Sequence, residues 1–477
     1  MSPLLDLALF VGGEWLGAAG RRAEAVINPA TGHELGLLPH ATQADLAAAL
    51  DHAARGFAVW RKVSAYDRSK VLRRAAELLR EREDELATLL TVEQGKALSE
   101  ARLEWRAAID VIEWYAEEGR RAYGRLIPSR TPGHRQIVVK EPVGPVAAFA
   151  PWNFPALTPA RKIAASLAAG CSCIIKPSEE TPFTTLELAR AFDEAGLPKG
   201  VLNVVFGNPA EVSETLLAST TIKKMTFTGS TPVGKHLGRL AAEGVKRATL
   251  ELGGHAPVLV FADADVDAAV KTLVPAKYRN AGQICVSPTR FFVEEPVFDR
   301  FVDQFVEGAA LLKVGNGLDA ATQMGPLANP RRIDAMTSLI SDAVERGAEL
   351  RTGGERIGNA GFFFQPTVLV NVPSDARIMS EEPFGPVAII NRSRDFDDAC
   401  EQANSLPFGL AAYAFTQSAR TSIAVGDALE SGMVGINTMA ISVAETPFGG
   451  VKESGHGSES GMEGLEAFLN VKFISQV

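Results

Sequence analysis

Cysteine is scarce in this chain: Cys171, Cys173, Cys285 and Cys400 are the only four in 477 residues. Four cannot form a disulfide framework for a protein of this length, which points to a reducing, cytoplasmic setting. A basic excess is missing as well, since 48 Lys+Arg stand against 57 Asp+Glu, a net charge of −9. Neither the basic patch of a nucleic-acid binder nor a polybasic membrane anchor is visible. The apolar stretch 143–160 is broken by Pro145, Pro151, Pro155 and Pro159, so it does not read as a membrane span. The first fifteen residues carry Asp6 and Glu14 and no basic segment, unlike a secretory signal. HExxH, CxxC and GxSxG are absent, which removes the main signals for zinc hydrolase, dithiol oxidoreductase and serine hydrolase chemistry. Cys171 and Cys173 form a C-x-C without a second ligand pair, so no metal is expected. What remains is a small-molecule partner, with no nucleic acid and no membrane.

What the chain does have is material for more than one core, 46% hydrophobic with 22% charged, and a length of about three ordinary domains. The first ~120 residues end in helical patterns: a long amphipathic stretch over 69–96, then Leu103, Ala107, Val111 and Tyr115 recurring every fourth position. From about 136 the texture changes. Strands are expected at 146–150, 173–176, 202–206, 224–228 and 249–252, with helices at 158–169, 181–195, 210–218 and 232–243 between them. This alternation predicts α/β architecture with a doubly wound parallel sheet, whose ligands bind beyond the carboxyl ends of strands. A second alternating block is expected from about 257 to 440, with strands at 257–261, 290–293, 367–371, 387–390, 411–416 and 434–437. The pieces 136–139 and 470–477 read as strands outside both blocks, suited either to an extension pairing with another subunit or to an internal two-stranded hairpin.

The strand ends carry unusual residues: Pro151-Trp152-Asn153-Phe154-Pro155, Lys176-Pro177-Ser178-Glu179, Phe227-Thr228-Gly229-Ser230 and Glu251-Leu252-Gly253-Gly254. Gly229 to Lys235 fits seven positions of a phosphate-cradling P-loop, but the eighth is His236 where Ser or Thr would ligate magnesium. Triphosphatase chemistry is disfavoured, whereas holding a phosphate on backbone N–H groups at a helix start survives. The dinucleotide fingerprint G-x-G-x-x-G does not occur. Among the cysteines, Cys171 and Cys173 border an expected buried strand and Cys400 sits in a charged helical pattern. Cys285, in the turn Arg279-Asn280-Ala281-Gly282-Gln283-Ile284-Cys285, is the one placed as a nucleophile would be. Position alone leaves a structural role equally open.

Taken with Gly282-Gln283-Ile284-Cys285, Glu382-Pro383-Phe384-Gly385-Pro386 and Pro447-Phe448-Gly449-Gly450, these segments resemble the aldehyde dehydrogenase superfamily, in its order and spacing and over nearly the whole chain. The resemblance implies a modified Rossmann cofactor domain (1–121 and 142–252), a second α/β catalytic domain (253–458) and a small β oligomerisation arm (122–141 and 459–477), in a homodimer or homotetramer. It makes Cys285 the nucleophile, Asn153 with the Cys285 backbone N–H the oxyanion hole, and Glu251 the base that activates water against a thioester.

The cofactor it implies is NAD, with NADP possible. Lys176 and Glu179 are similar to the pair that binds the adenosine ribose, and a carboxylate there repels a 2′-phosphate. Ser178 belongs to the same turn. Gly229 and Ser230 correspond to the pyrophosphate site, Glu382 to the nicotinamide-ribose ligand with Phe384 beside it, and Pro151, Trp152 and Leu252 to the cleft wall. Arg161, Arg279 and Ser442 match positions with which the succinate-semialdehyde dehydrogenase branch holds its substrate's distal carboxylate. A planar guanidinium suits that group because it donates two parallel hydrogen bonds. Ser287-Pro288-Thr289-Arg290-Phe291 and Ala328-Asn329-Pro330-Arg331-Arg332 also resemble α-ketoglutaric semialdehyde dehydrogenases, and the two substrates are not separated. The alternatives are broad specificity for uncharged aldehydes, acyl transfer to coenzyme A in place of water, and a catalytically silent binding protein. Some succinate-semialdehyde dehydrogenases carry a redox-switch cysteine two residues after the nucleophile. Here that residue is Ser287, so no disulfide lock is expected.

Overall fold

The computed structural model describes residues 7–477. Residues 1–6, including Asp6 of the N-terminal stretch and the start of the expected first domain, lie outside the described residues.

Two sheets dominate. The first has eight strands, in the order Glu14–Leu16, Leu9–Val11, Leu202–Val204, Cys173–Lys176, Val146–Phe149, Lys224–Thr228, Arg247–Glu251 and Gly455–His456. Its five central strands are parallel. Helices Leu157–Ala169, Pro182–Glu194, Pro209–Ala218 and Thr231–Glu243 connect them, close to the expected bounds. Chain order reverses between Val146–Phe149 and its neighbour Lys224–Thr228. Such a switch point opens a crevice at the strands' carboxyl ends, because successive crossovers leave in opposite directions. Pro151-Trp152-Asn153 and Gly229-Ser230 both emerge there.

The second sheet has seven strands, in the order Glu349–Thr352, Thr367–Val370, Val387–Ser393, Pro288–Glu294, Ala256–Val260, Ala411–Phe415 and Met433–Ile436. Each sheet packs its own core, one including Ile174, Leu188 and Val204, the other Val258, Phe291 and Ile389. Four residues join Glu251, the last of a strand in the first sheet, to Ala256, the first of one in the second. The carboxyl edge of one sheet therefore faces the amino edge of the other. Cys285, in its expected turn, lies on that amino edge, three residues ahead of the strand Pro288–Glu294.

Two readings of the N-terminal region change. The stretch 69–96 is two helices, Ala65–Glu81 and Glu83–Gln94, broken where Arg82 leaves helical geometry (φ −110°, ψ 12°). In the helix Leu98–Glu118 the four-residue stripe is buried only at its end: Val111 and Tyr115 are core, while Leu103 is 60% exposed. Four residues advance 400° around a helix of 3.6 per turn, so an exact repeat of four drifts by about 40° a step and leaves the core face. The buried face is Ala101, Glu104, Trp105, Ala108 and Ile112.

The two outlying strands pair with each other. Leu469–Gln476 runs antiparallel to Arg135–Pro142 over eight residues, and Arg125–Ile127 adds a third strand. Its exposed apolar side chains include Leu126, Val471 and Phe473. Among the described residues, no helix is long and apolar enough to cross a membrane.

Candidate active site

Between the facing sheet edges lies a cavity of about 520 Å³. Twelve of the residues singled out in the sequence line it: Pro151, Trp152, Asn153, Arg161, Gly229, Ser230, Leu252, Arg279, Cys285, Glu382, Phe384 and Ser442. Glu251 does not. It is only 2% exposed, beneath the wall at Leu252, and neither carboxyl oxygen has a hydrogen-bond partner. Lys176, Ser178 and Glu179 lie apart from the cavity. Glu179 lines a neighbouring groove of about 690 Å³, and Asn329 and Arg331 line both spaces and so connect them.

Backbone geometry presents the thiol. Asn280, Ala281 and Gly282 are three successive residues at φ 49°, 52° and 71°. Left-handed backbone costs an L-residue such as Ala281 about 1–2 kcal/mol, so the turn must be held from outside. At Gly282 a Cβ would come within 2.1 Å of the Gly385 carbonyl, and only glycine admits that approach. The Asn280 N–H donates to both Glu100 carboxylate oxygens at 3.1 and 3.2 Å. Asn153 donates from Nδ2 to the Gln283 carbonyl at 3.0 Å. An amide nitrogen carries two hydrogens, so one remains for a ligand in the cavity Asn153 lines.

A nucleophilic cysteine is helped by a thiolate-favouring setting, and the electrostatics around Cys285 do the opposite. Its thiol is pushed up to about 12, by burial first and then by Glu382 and Glu251, against the pull of Arg161 and of its own backbone N–H. Glu251 is held well above the usual carboxylate range by burial and then by Glu459, against Lys162 and Arg161. The Cys285 thiol is therefore protonated at neutral pH in this arrangement. Glu382 is raised to about 7 by burial, with the Gly254 N–H, Arg332 and Lys277 opposing.

Arg161 is buried, donates from Nη2 to Ser442 Oγ at 2.7 Å, and lies 4.2 Å from the centre of the Phe448 ring. Its Nε has no partner. Arg279 is exposed at the rim, 5.6 Å from the Phe154 ring centre. The three residues matched to an anion site thus reach one cavity with Cys285.

The surroundings fit a dinucleotide. Lys176 Nζ and the Gly207 N–H both hold the Glu179 carboxylate, at 2.7 and 3.1 Å. Ser178 spends its hydroxyl on Glu180. Ser230 precedes the helix Thr231–Glu243 and makes no side-chain cap, so its hydroxyl is available where the helix N–H groups favour an anion. At Gly253 a Cβ would press within 2.8 Å of Glu382 Oε2, so the glycine leaves that carboxylate room. Lys235 pairs with Glu453 at 2.7 Å, so it is engaged away from the place a P-loop lysine would take. Trp152 and Phe384 meet edge to face, 5.5 Å apart, across the cleft.

The sequence reading gave no role to four groups. Glu459 lines the cavity and pairs with Lys162, whose Nζ also donates to Thr228 Oγ1 at 2.7 Å. Arg332 donates to the Pro383 and Phe384 carbonyls, and Arg331 pairs with Glu180 at 2.6 Å. Lys162 beside Arg161 was a usable signal. Glu459, in a Gly/Ser-rich stretch, offered none.

Known proteins resemble this chain over nearly its full length. A 4-(hydroxymethyl)benzenesulfonate dehydrogenase of Comamonas testosteroni is 50% identical over 469 residues, 98% of each chain. The NADP(+) succinate-semialdehyde dehydrogenase of Escherichia coli is 44% identical, over 99% of this chain and 98% of its own. Among solved structures, a succinate-semialdehyde dehydrogenase from Burkholderia pseudomallei superposes with TM-score 0.98 at 44% identity, covering 100% of this chain and 99% of the other. A Staphylococcus aureus betaine aldehyde dehydrogenase in complex with NAD+ does so with TM-score 0.96 at 34% identity, covering 99% and 95%. The profile of the "Aldehyde dehydrogenase family" matches residues 15–474, and with these full-length similarities the chain belongs to that family of oxidoreductases.

Proposed function

We propose that the protein oxidises a semialdehyde ending in a carboxylate, succinic or α-ketoglutaric semialdehyde, to the dicarboxylic acid with NAD as cofactor. The observation that carries this reading is the cavity that Cys285, Asn153, Arg161 and Ser442 share. The Cys285 sulfur adds to the aldehyde carbon once its proton has left, and the new oxyanion takes the free Asn153 hydrogen and the Cys285 backbone N–H. Bound NAD supplies the hydride acceptor that turns this adduct into a thioester. Glu251, once deprotonated, takes a proton from the water that cleaves the thioester, and the acid leaves with the thiol restored.

Arg161 and Ser442 hold the distal carboxylate, with Arg279 drawing it in at the rim. Glu179, fixed by Lys176, receives the adenosine ribose and repels a 2′-phosphate. Gly229 and Ser230 take the pyrophosphate, and Glu382 takes the nicotinamide ribose beside Phe384, within the wall of Pro151, Trp152 and Leu252. Residues 1–121 with 142–252 are read as the cofactor domain and 253–458 as the catalytic domain. The arm, 122–141 with 459–477, offers an exposed apolar sheet for a homodimer or homotetramer in the cytoplasm.

A kcat/KM panel tests the reading: succinic, glutaric and α-ketoglutaric semialdehydes against uncharged aldehydes of equal length, with NAD and with NADP. Equal values for charged and uncharged aldehydes overturn the anion site. An aromatic aldehyde carrying a sulfonate belongs in the panel, because Phe154 and Phe448 line the cavity and a guanidinium binds sulfonate by the same geometry.

A further inference from the structure

We propose that Gln94 is a positioning residue for the oxyanion hole, acting through a relay of three amides, Gln94, Asn280 and Asn153; the proposal rests on the roles given above to Cys285 and Asn153. The relay starts from a donor whose direction is beyond doubt, the Lys96 backbone N–H. It donates to Gln94 Oε1 at 3.0 Å, which turns Gln94 Nε2 toward Asn280 Oδ1, 2.9 Å away. The Asn280 amide is thereby oriented with Nδ2 toward the carbonyls of Asn153, at 3.0 Å, and Gln283, at 3.4 Å. The Gln283 carbonyl in turn accepts from Asn153 Nδ2 at 3.0 Å, which fixes the amide whose other hydrogen meets the oxyanion.

Every member is buried. Gln94 and Gln283 are fully enclosed, and Asn280, Lys96 and Asn153 nearly so. In such a setting each amide has one arrangement that satisfies its neighbours, and a wrong orientation leaves a buried group unpaired. The backbone around Gln94 is equally constrained. The helix Glu83–Gln94 stops at Gly95 (φ 96°), where a Cβ would sit 2.8 Å from Pro326 and 2.9 Å from Pro29. That stop releases the Lys96 N–H to Gln94 and aims Lys96 Nζ at the Asn153 carbonyl, 2.8 Å away. The relay therefore carries information from the N-terminal helices to a turn nearly two hundred residues later in the chain.

A wrongly set Asn153 harms only reactions that pass through an oxyanion. Two reagents separate the cases without any cofactor. Acetyl transfer from p-nitrophenyl acetate to the Cys285 sulfur forms a C–S bond and expels p-nitrophenolate through a tetrahedral oxyanion. Alkylation by iodoacetamide displaces iodide and forms none. For Gln94→Leu, similar in volume but unable to donate or accept, acylation falls tenfold or more. Alkylation, and the dissociation constant for NAD read by quenching of the intrinsic tryptophan fluorescence, stay within about twofold of wild type. Unchanged acylation overturns the proposal, and so does an equal fall in alkylation, since that marks a general loosening of the site. If Gln94→Leu does not fold, Asn280→Gly decides by the same criteria, because glycine keeps the positive φ and removes only the side-chain link. Cys285→Ser reads the underlying assignment separately: acylation and alkylation at wild-type rates in that variant would sink the nucleophile, and the relay with it.

Discussion

The Arg161 guanidinium donates to Ser442 Oγ at 2.7 Å and lies 4.2 Å from the centre of the Phe448 ring. A hydroxyl on one nitrogen and a ring against the planar face fix the guanidinium, its Nε is buried without a partner, and Arg161 lines the cavity that Cys285 shares. The cation is held in place in the wall of the cavity that would take the carboxylate. Charge-assisted hydrogen bonds contribute about 1.5–3 kcal/mol. Arg161→Met should therefore raise KM for succinic semialdehyde by roughly 10- to 100-fold. The kcat/KM for butanal should stay nearly constant. A matching loss on butanal would mean that Arg161 shapes the cavity rather than binding the anion.

With its thiol at about 12, Cys285 is overwhelmingly protonated at pH 7. Only the thiolate is alkylated, and each pH unit below the pKa changes the thiolate fraction about tenfold. Iodoacetamide inactivation of the cofactor-free enzyme should thus climb by about a decade per unit from pH 7 to 10, without a plateau. Glu382→Gln removes one of the charges that raise the thiol, so it should speed alkylation at fixed pH. A plateau below pH 8 would show a thiolate already present.

Glu382 sits at about 7, and its ionised form is the better acceptor for ribose hydroxyls. Above that pH it is ionised, facing Arg332 and Lys277; below it a proton must leave before the carboxylate can accept. The dissociation constant for NAD, read by quenching of the intrinsic tryptophan fluorescence, should rise as pH falls below about 7, by up to tenfold per unit. In Glu382→Gln this dependence should flatten. An identical slope in the variant would assign the titration elsewhere.

Cys285→Ala should reduce aldehyde turnover by at least about a thousandfold while leaving NAD binding intact, because covalent addition is lost and the cleft is not. Turnover near the wild-type rate would sink the mechanism. Reversible peroxide inactivation through a bond between Cys285 and another cysteine would also contradict the structure, which puts Ser287, not Cys, two residues on, with its Oγ 3.2 Å from Lys277 Nζ.

Lys96 and Glu104 form an ion pair with both side chains about 1% exposed. Glu104 also accepts from the N–H groups of Ala156 and Leu157 at the start of the helix Leu157–Ala169. Removing one member of a buried pair costs about 3–5 kcal/mol. Glu104→Leu should lower stability by that order in a denaturant titration. Burial already holds Lys96 below the ordinary lysine range, and without Glu104 it falls further. The unfolded chain then binds more protons than the folded one, so this variant's stability should recover as pH rises. A loss independent of pH would point to the helix start alone.

Much of the fold was legible because strands and helices here follow their local periods. Cys173–Lys176 and Lys224–Thr228 have the bounds that the apolar runs suggest, and the glycine turns mark strand ends. The stripe through Leu103 misled because a repeat of four drifts off a helix face. For the two outlying strands the sequence left pairing with each other and pairing with another subunit both open, and the register of Gln136 on Ser475 is set only when the chain has folded. Within the site, Cys285, Glu251 and Asn153 stood out by motif, whereas Glu459 did not: its significance is a distance to Lys162, and spacing along the chain does not encode that.

The sequence by itself determined the residue types of the chemistry, their order, and the alternation that builds two α/β sheets, because these depend on local periodicity and on motifs read along the chain. With only four cysteines, the turn position and the family motif together pointed to Cys285. The tertiary structure decided what that thiol experiences. It half-buries Cys285 near Glu382 and Glu251, holds the turn at Asn280 through Glu100 and Gln94, and brings Arg161 to Ser442 across 281 positions. Desolvation, Coulomb interaction and hydrogen-bond geometry all act through space, and only folding sets those distances.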